Sequence, residues 1–135
     1  FTVEEKLRQV FDWHRLRHQV IKPLLRGEVA RWRAFDFESG VRADGTYGMQ
    51  KEPKQRDPAE VILIEGAYSA GPQLADLVDL TILVEVAVEQ RHGRLEAREE
   101  KEFLRRWHQI WDEVESYYFS EVRSRRSFDL SVSPK

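Results

Sequence analysis

Three arginines and one carboxylate are the residues of this chain best suited to do chemistry. Arg91, Arg94 and Arg98 recur at intervals of three and four, which predicts that they line one helix face. Such a row can neutralise phosphate oxygens. A solvated helix laced with ion pairs is the alternative, and the usual meaning of a dense charge run. Glu65 follows Val61-Ile62-Leu63-Ile64 and precedes Gly66. The apolar run does not alternate and is rich in β-branched residues, which predicts a strand covered on both faces, as in a parallel sheet. A carboxylate at the carboxyl end of such a strand stands where open α/β sheets bind ligands. Equally, a strand ends in a charge where it reaches water.

Phe35 and Phe37 flank Asp36 in an extended segment over 28–37, so the two rings project from one face and Asp36 from the other. Such a pair could sandwich a planar ligand or belong to the core. Asp12 precedes an apolar stripe of Trp13, Leu16, Val20 and Leu24 and is placed to cap that helix. His14 and His18 share the helix face and could bind zinc. Arg15, however, stands where H-E-x-x-H carries its glutamate, and no third ligand is evident. Solvated surface histidines are the plainer reading. Gly40 and Gly45 have the glycine spacing of a phosphate-binding loop, but Thr46 replaces the lysine that must reach the phosphates, so the motif fails.

The elements that would position these residues follow from local pattern. Thr2 and Glu5 form a capping-box pair that starts a short helix at Val3. Pro23 should shorten or kink the second helix, and Gly27 should end it. Residues 38–60 read as a long polar loop with a hairpin around Asp44-Gly45. A short crossover helix over 67–79 would join the 61–65 strand to a second β-rich run, Leu80 to Val86, giving a βαβ unit with parallel strands. Residues 88–106 read as a charged helix. Phe103, Trp107, Ile110, Trp111, Val114 and Tyr118 then mark a long amphipathic helix whose tryptophans should pack on the sheet, and 128–132 reads as a last short strand.

A length of 135 residues suggests a single α/β domain. The net charge of -2 argues against nucleic-acid binding, which needs a basic excess. Any anionic ligand must therefore be met by local arginine clusters. No cysteine is present, which rules out disulfides and fits a reducing, cytoplasmic setting. No apolar run approaches the roughly 20 residues of a membrane span.

Taken in order, these pieces resemble the uridine kinase and phosphoribulokinase-like family of P-loop kinases. The resemblance is carried by Phe11-Asp12-Trp13 with Gln19 to Leu24, Phe35-Asp36-Phe37, Val61 to Gly66, and Asp79-Leu80. It continues through Arg91, Arg94, Arg98-Glu99 and Phe128-Asp129. It implies a parallel-sheet P-loop kinase-like fold, and transfer of the ATP γ-phosphate to a hydroxyl of a nucleoside or similar small molecule. By the same resemblance Asp12 binds sugar hydroxyls, Phe35 and Phe37 surround the base, and Glu65 helps organise Mg2+ near the phosphates. Arg91, Arg94 and Arg98 belong to a lid over 88–106, with Arg94 and Arg98 stabilising the transferring charge.

The chain departs from that family in lacking the strand with G-x-x-x-x-G-K-[ST] and the catalytic aspartate on the following strand. The expectation is a C-terminal part, incomplete at the N-terminus, of a kinase of roughly 200 residues. In the family's sheet the strand before that loop lies between the 61–65 and 80–86 strands. Their edges would otherwise stand open and could also support a homo-oligomer. Gly40 stands where some members have a histidine, which leaves the acceptor open. The competing reading is a non-catalytic module that binds a planar ligand through Phe35 and Phe37 or assembles through open strand edges.

Overall fold

Thr2 and Glu5 cap the first helix reciprocally in the computed structural model, which describes residues 2–9, 11–98 and 101–134. Thr2 N–H donates to Glu5 Oε2 at 2.7 Å and Glu5 N–H to Thr2 Oγ1 at 3.2 Å. The described residues group into two compact units, unit 1 within 1–11 and 67–135, and unit 2 within 12–66.

Unit 1 opens with α1 (Val3–Gln9) and later carries α4 (Val88–Glu96) and α5 (Lys101–Tyr117), which runs on into a π-helical turn, Tyr118–Val122. Its core is built on α5. Val114 and Tyr118, one turn apart, pack with Leu7 of α1, and Tyr68 and Trp111 close the cluster. Burying side chains such as Val114 and Leu7 contributes about 1.5–3 kcal/mol each. Trp107 and Trp111 lie 5.3 Å apart, centroid to centroid, and Trp107 stays partly exposed. Trp107 therefore packs on Trp111, which lies against the Leu7, Val114 and Tyr118 cluster. The Phe103 side chain and Glu99 lie outside the described residues.

Two strands of unit 1 run parallel, β5 (Ile82–Val84) and β6 (Leu130–Val132), in the register Ile82 to Leu130 and Val84 to Val132. Both β-rich runs at 80–86 and 128–132 thus supply strands. The pair is locked at its start. Thr81 N–H and hydroxyl donate to Asp129 Oδ2 at 2.7 and 2.9 Å, and Asp129 N–H donates to Thr81 Oγ1 at 3.2 Å. Residues 67–79 do not form the expected crossover helix. They run as successive tight turns, such as Gly71 N–H to Tyr68 carbonyl and Leu77 N–H to Leu74 carbonyl. Pro72 lacks a donor, and three-residue closures replace the helical ladder.

In unit 2, α2 (Trp13–Arg15), a π-helical stretch Leu16–Ile21 and α3 (Lys22–Leu25) follow one another without a break. Asp12 caps the start, its Oδ1 accepting from Arg15 N–H at 3.1 Å. Pro23 neither ends nor sharply breaks this run. Its ring crowds the carbonyl four residues back, and the preceding turn widens so that Lys22 N–H reaches the Arg17 carbonyl. Gly27, at φ 75°, takes the left-handed position that ends the helix. Ile21, Leu24 and Ala30 are the buried core.

The sheets of unit 2 are small and antiparallel. β1 (Ala30–Trp32) pairs with β4 (Lys54–Arg56), and β2 (Phe35–Val41) with β3 (Tyr47–Met49). The β2–β3 turn is the Asp44-Gly45 hairpin, with Gly45 at φ 81° and Asp44 Oδ1 accepting from Thr46 N–H at 3.0 Å.

The Val61–Ile64 run is not a buried strand. It begins in a bend at Val61, has no strand pairing among the described residues, and Val61 and Leu63 are 81% and 82% exposed. A strand of this composition needs neighbours on both edges and cover on both faces, and the described residues supply neither. Among the described residues no helix is long and apolar enough to cross a membrane.

Candidate functional site

In unit 1 the carboxyl ends of β5 and β6 open on a cavity of about 500 Å³. That edge of a parallel pair is where α/β proteins place ligands, and the volume suits a small molecule. Glu85, Arg91, Glu115, Phe119 and Arg125 contribute to its wall. Arg91, from α4, donates through Nη1 to Glu115 Oε2 on α5. The other oxygen of Glu115 lies 3.7 Å from Arg125 Nη2, and Arg125 Nη1 lies 3.9 Å from Glu85 Oε1. Arg125 also sits 3.8 Å over the Phe119 ring, a cation–π contact that fixes the guanidinium plane. Two arginines are thus held on one cavity wall by a single carboxylate.

The expected arginine face divides. Arg91 lines the cavity, Arg94 is exposed on the last turn of α4, and Arg98 is exposed beyond the end of that helix. The predicted helix over 88–106 is two helices. Past Glu96, Ala97 N–H still bonds the Gly93 carbonyl, and only Arg98 N–H makes a tighter, three-residue closure on the Leu95 carbonyl. Such a closure satisfies a terminal carbonyl at a helix end. Arg98 therefore lies just past the last residue of α4, whereas Arg91 and Arg94 are on it.

In unit 2 a second, open cleft of about 440 Å³ is walled by Arg15, Gln19, Arg31, Trp32, Arg33 and Met49. Arg15 organises its surroundings. Its Nη2 donates to the Arg33 carbonyl at 2.5 Å, its Nε stands 3.9 Å from Asp12 Oδ2, and its guanidinium lies 5.6 Å from the Phe35 centroid. Asp12 and Phe35, both read as substrate residues, are thereby joined through a residue that pattern reading passed over. The signal was present as an aspartate and an arginine three apart at a helix start.

Phe35 and Phe37 do project together, with centroids 5.9 Å apart, and Tyr47 meets Phe37 edge-on at 4.8 Å. Phe37 is 66% exposed and so is not core, whereas Phe35 is half-buried. Glu65 is exposed, directly before Gly66, and joins no group of three metal-type ligands among the described residues. One exposed carboxylate fits an Mg2+ ion shared with phosphate oxygens and water, and does not fit a resident cage.

A set of metal-type ligands does occur elsewhere in unit 1, made by His92, His108 and Asp112. His14 and His18 stack at 4.4 Å, but they join no third ligand among the described residues. The chain matches no family model, no curated protein and no solved structure.

Proposed function

We propose that this chain serves an ATP-dependent, uridine kinase-like phosphotransferase activity, binding the acceptor and contacting phosphate. It acts in the cytoplasm and moves the γ-phosphate of ATP to a hydroxyl of a nucleoside or similar small molecule. The observation that carries the reading is the pair Arg91 and Arg125 on a ligand-sized cavity at the carboxyl ends of parallel β5 and β6. The acceptor oxygen bonds to the γ-phosphorus as the bond to ADP breaks, and negative charge spreads over the transferring oxygens. Fixed cationic donors lower that barrier without reorganising.

In this reading Arg91 binds phosphate, and Arg94 and Arg98 add charge as the lid segment closes. Asp12 accepts from sugar hydroxyls through the oxygen that does not cap the helix, and Phe35 and Phe37 hold the base. Mg2+ enters with ATP, and Glu65 offers it one carboxylate. Calorimetric titration of the full-length protein with uridine and with Mg-ATP tests the reading. Binding of both, with Mg-ATP weakened by Arg91→Ala, supports it.

A second reading has its own observation. Ile82 and Val84 are exposed apolar residues of β5, and Val61 and Leu63 are exposed apolar residues of an unpaired run, which suits a non-catalytic module that binds or assembles through strand edges. Uridine binding without Mg-ATP binding would favour it.

A further inference from the structure

We propose that His92, His108 and Asp112 form a site for one divalent transition-metal ion of the zinc type, fastening α4 to α5. The site stands apart from the phosphotransferase reading and does not rest on it. His108 and Asp112 are one turn apart on α5, so they present side chains to the same side of that helix. His92 comes from the middle of α4, and its ring lies 4.0 Å from that of His108.

Three ligand atoms, one from each residue, lie within 4.8 Å of one another. His92 Nε2 is 3.6 Å from Asp112 Oδ2, and His108 Nδ1 is 3.8 Å from the same oxygen. Those gaps are too long for hydrogen bonds. They are close to what an ion demands: bonds of about 2.0–2.2 Å in tetrahedral geometry separate ligands by about 3.3–3.5 Å. The two His–Asp gaps exceed that spacing by only a few tenths of an ångström, and the widest separation among the three atoms, up to 4.8 Å, must shorten by about 1.3 Å for all three to bind one ion.

A second observation points the same way. His92 Nε2 is buried and has no hydrogen-bond partner. A desolvated ring nitrogen left unpaired is destabilising, and a metal ion would satisfy it. Two imidazoles with one carboxylate favour Zn2+, Co2+ or Ni2+ over Mg2+ or Ca2+, which take oxygen ligands. Three protein ligands leave a tetrahedral ion one position for water or an outside ligand.

The consequence is mechanical. α4 ends at Glu96 and α5 begins at Lys101, so a metal bridging His92 to His108 and Asp112 would hold α4 in register with α5. It would act beside the Arg91–Glu115 pair, which joins the same helices.

The test is metal titration of the full-length protein after chelator treatment. Zn2+ should bind at one equivalent in competition with a chromophoric chelator, and Co2+ should produce the intense visible d–d bands of a tetrahedral site. His108→Ala and Asp112→Asn should each weaken Zn2+ by more than about tenfold, the scale that even loss of an outer partner produces. His14→Ala/His18→Ala should leave binding unchanged. The metal-free variants are compared with the wild type by circular dichroism, and the cobalt spectrum of the wild type stands without any variant. Absence of tetrahedral cobalt bands overturns the proposal. So does zinc binding that survives loss of His92 and His108 or disappears with His14 and His18.

Discussion

Arg91 of α4 is held by Glu115 of α5 through an ion pair on the wall of the unit 1 cavity. Both side chains are about two-thirds or more sheltered, so the pair is worth more than a surface contact. It also places Arg91 in a defined position before any ligand arrives. Glu115→Gln should lower stability by about 1–2 kcal/mol, read as a fall in Tm, because it weakens the partner of a charge that is about two-thirds sheltered. Arg91→Ala should give a comparable loss and also lower kcat by about a hundredfold, and Glu115→Gln, which only loosens Arg91, should lower it less. Unchanged turnover in folded Arg91→Ala would make Arg91 a purely structural residue.

Asp12 has two assigned tasks that substitutions can separate. Asp12→Ala removes the cap that accepts from Arg15 N–H, and should cost about 1 kcal/mol of stability. Asp12→Asn keeps a capping oxygen, so stability should hold within about 0.5 kcal/mol. Both variants should raise the KM for the nucleoside by about tenfold or more, the loss expected for a charged hydrogen bond to a sugar hydroxyl. Unchanged KM in Asp12→Asn would leave Asp12 as a helix cap alone.

Asp129 gives the β5–β6 pair a defined response to acid. The Thr81 N–H, and then its hydroxyl, hold the Asp129 carboxyl below its ordinary 3.8. A depressed carboxyl contributes stability that is present above 3.8 and is lost as pH falls through the lowered value. Asp129→Asn should therefore remove part of the acid limb of a Tm-against-pH profile below 3.8. An unchanged acid limb would show that Asp129 is not coupled to folding.

Tyr68 should titrate unusually late. Burial, then Glu115, push its hydroxyl up to about 12 from 10.0, against the pull of Arg91. The ring packs on Tyr118 at 4.9 Å, with the backbone of Tyr68 at φ 63°, a conformation rare for a bulky residue. A raised value contributes stability that is full below 10.0 and is lost as pH rises through about 12. Ultraviolet titration should show a late tyrosinate component that Tyr68→Phe removes. Tyr118 is also shifted upward by burial, so persistence of the whole late component in Tyr68→Phe would assign it to Tyr118.

What was legible in the sequence was what adjacent residues decide together. The Thr2–Glu5 box, the Asp12 cap, the Gly27 stop and the Asp44-Gly45 hairpin each need only a few neighbouring residues, and each is present. Long-range pairing was less legible. The run 61–64 has strand composition but lacks a described neighbour, and β5 takes β6 as its parallel partner. The pairing of β1 with Lys54–Arg56 has no apolar signature, because all three β4 residues are exposed. At the candidate sites, His108 and Asp112 carried a readable spacing, but His92 joins them only through the packing of α4 on α5. Arg125 and Glu115 likewise meet only in three dimensions.

The most direct measurement is transfer of labelled γ-phosphate from Mg-ATP to a panel of nucleosides by the full-length protein, beside its Arg91→Ala and Glu65→Gln variants. The account predicts a labelled nucleoside monophosphate, turnover reduced about a hundredfold in either variant, and nucleoside binding nearly unchanged in both. No labelled product from any nucleoside or small alcohol, with uridine bound and Mg-ATP not bound, would contradict it.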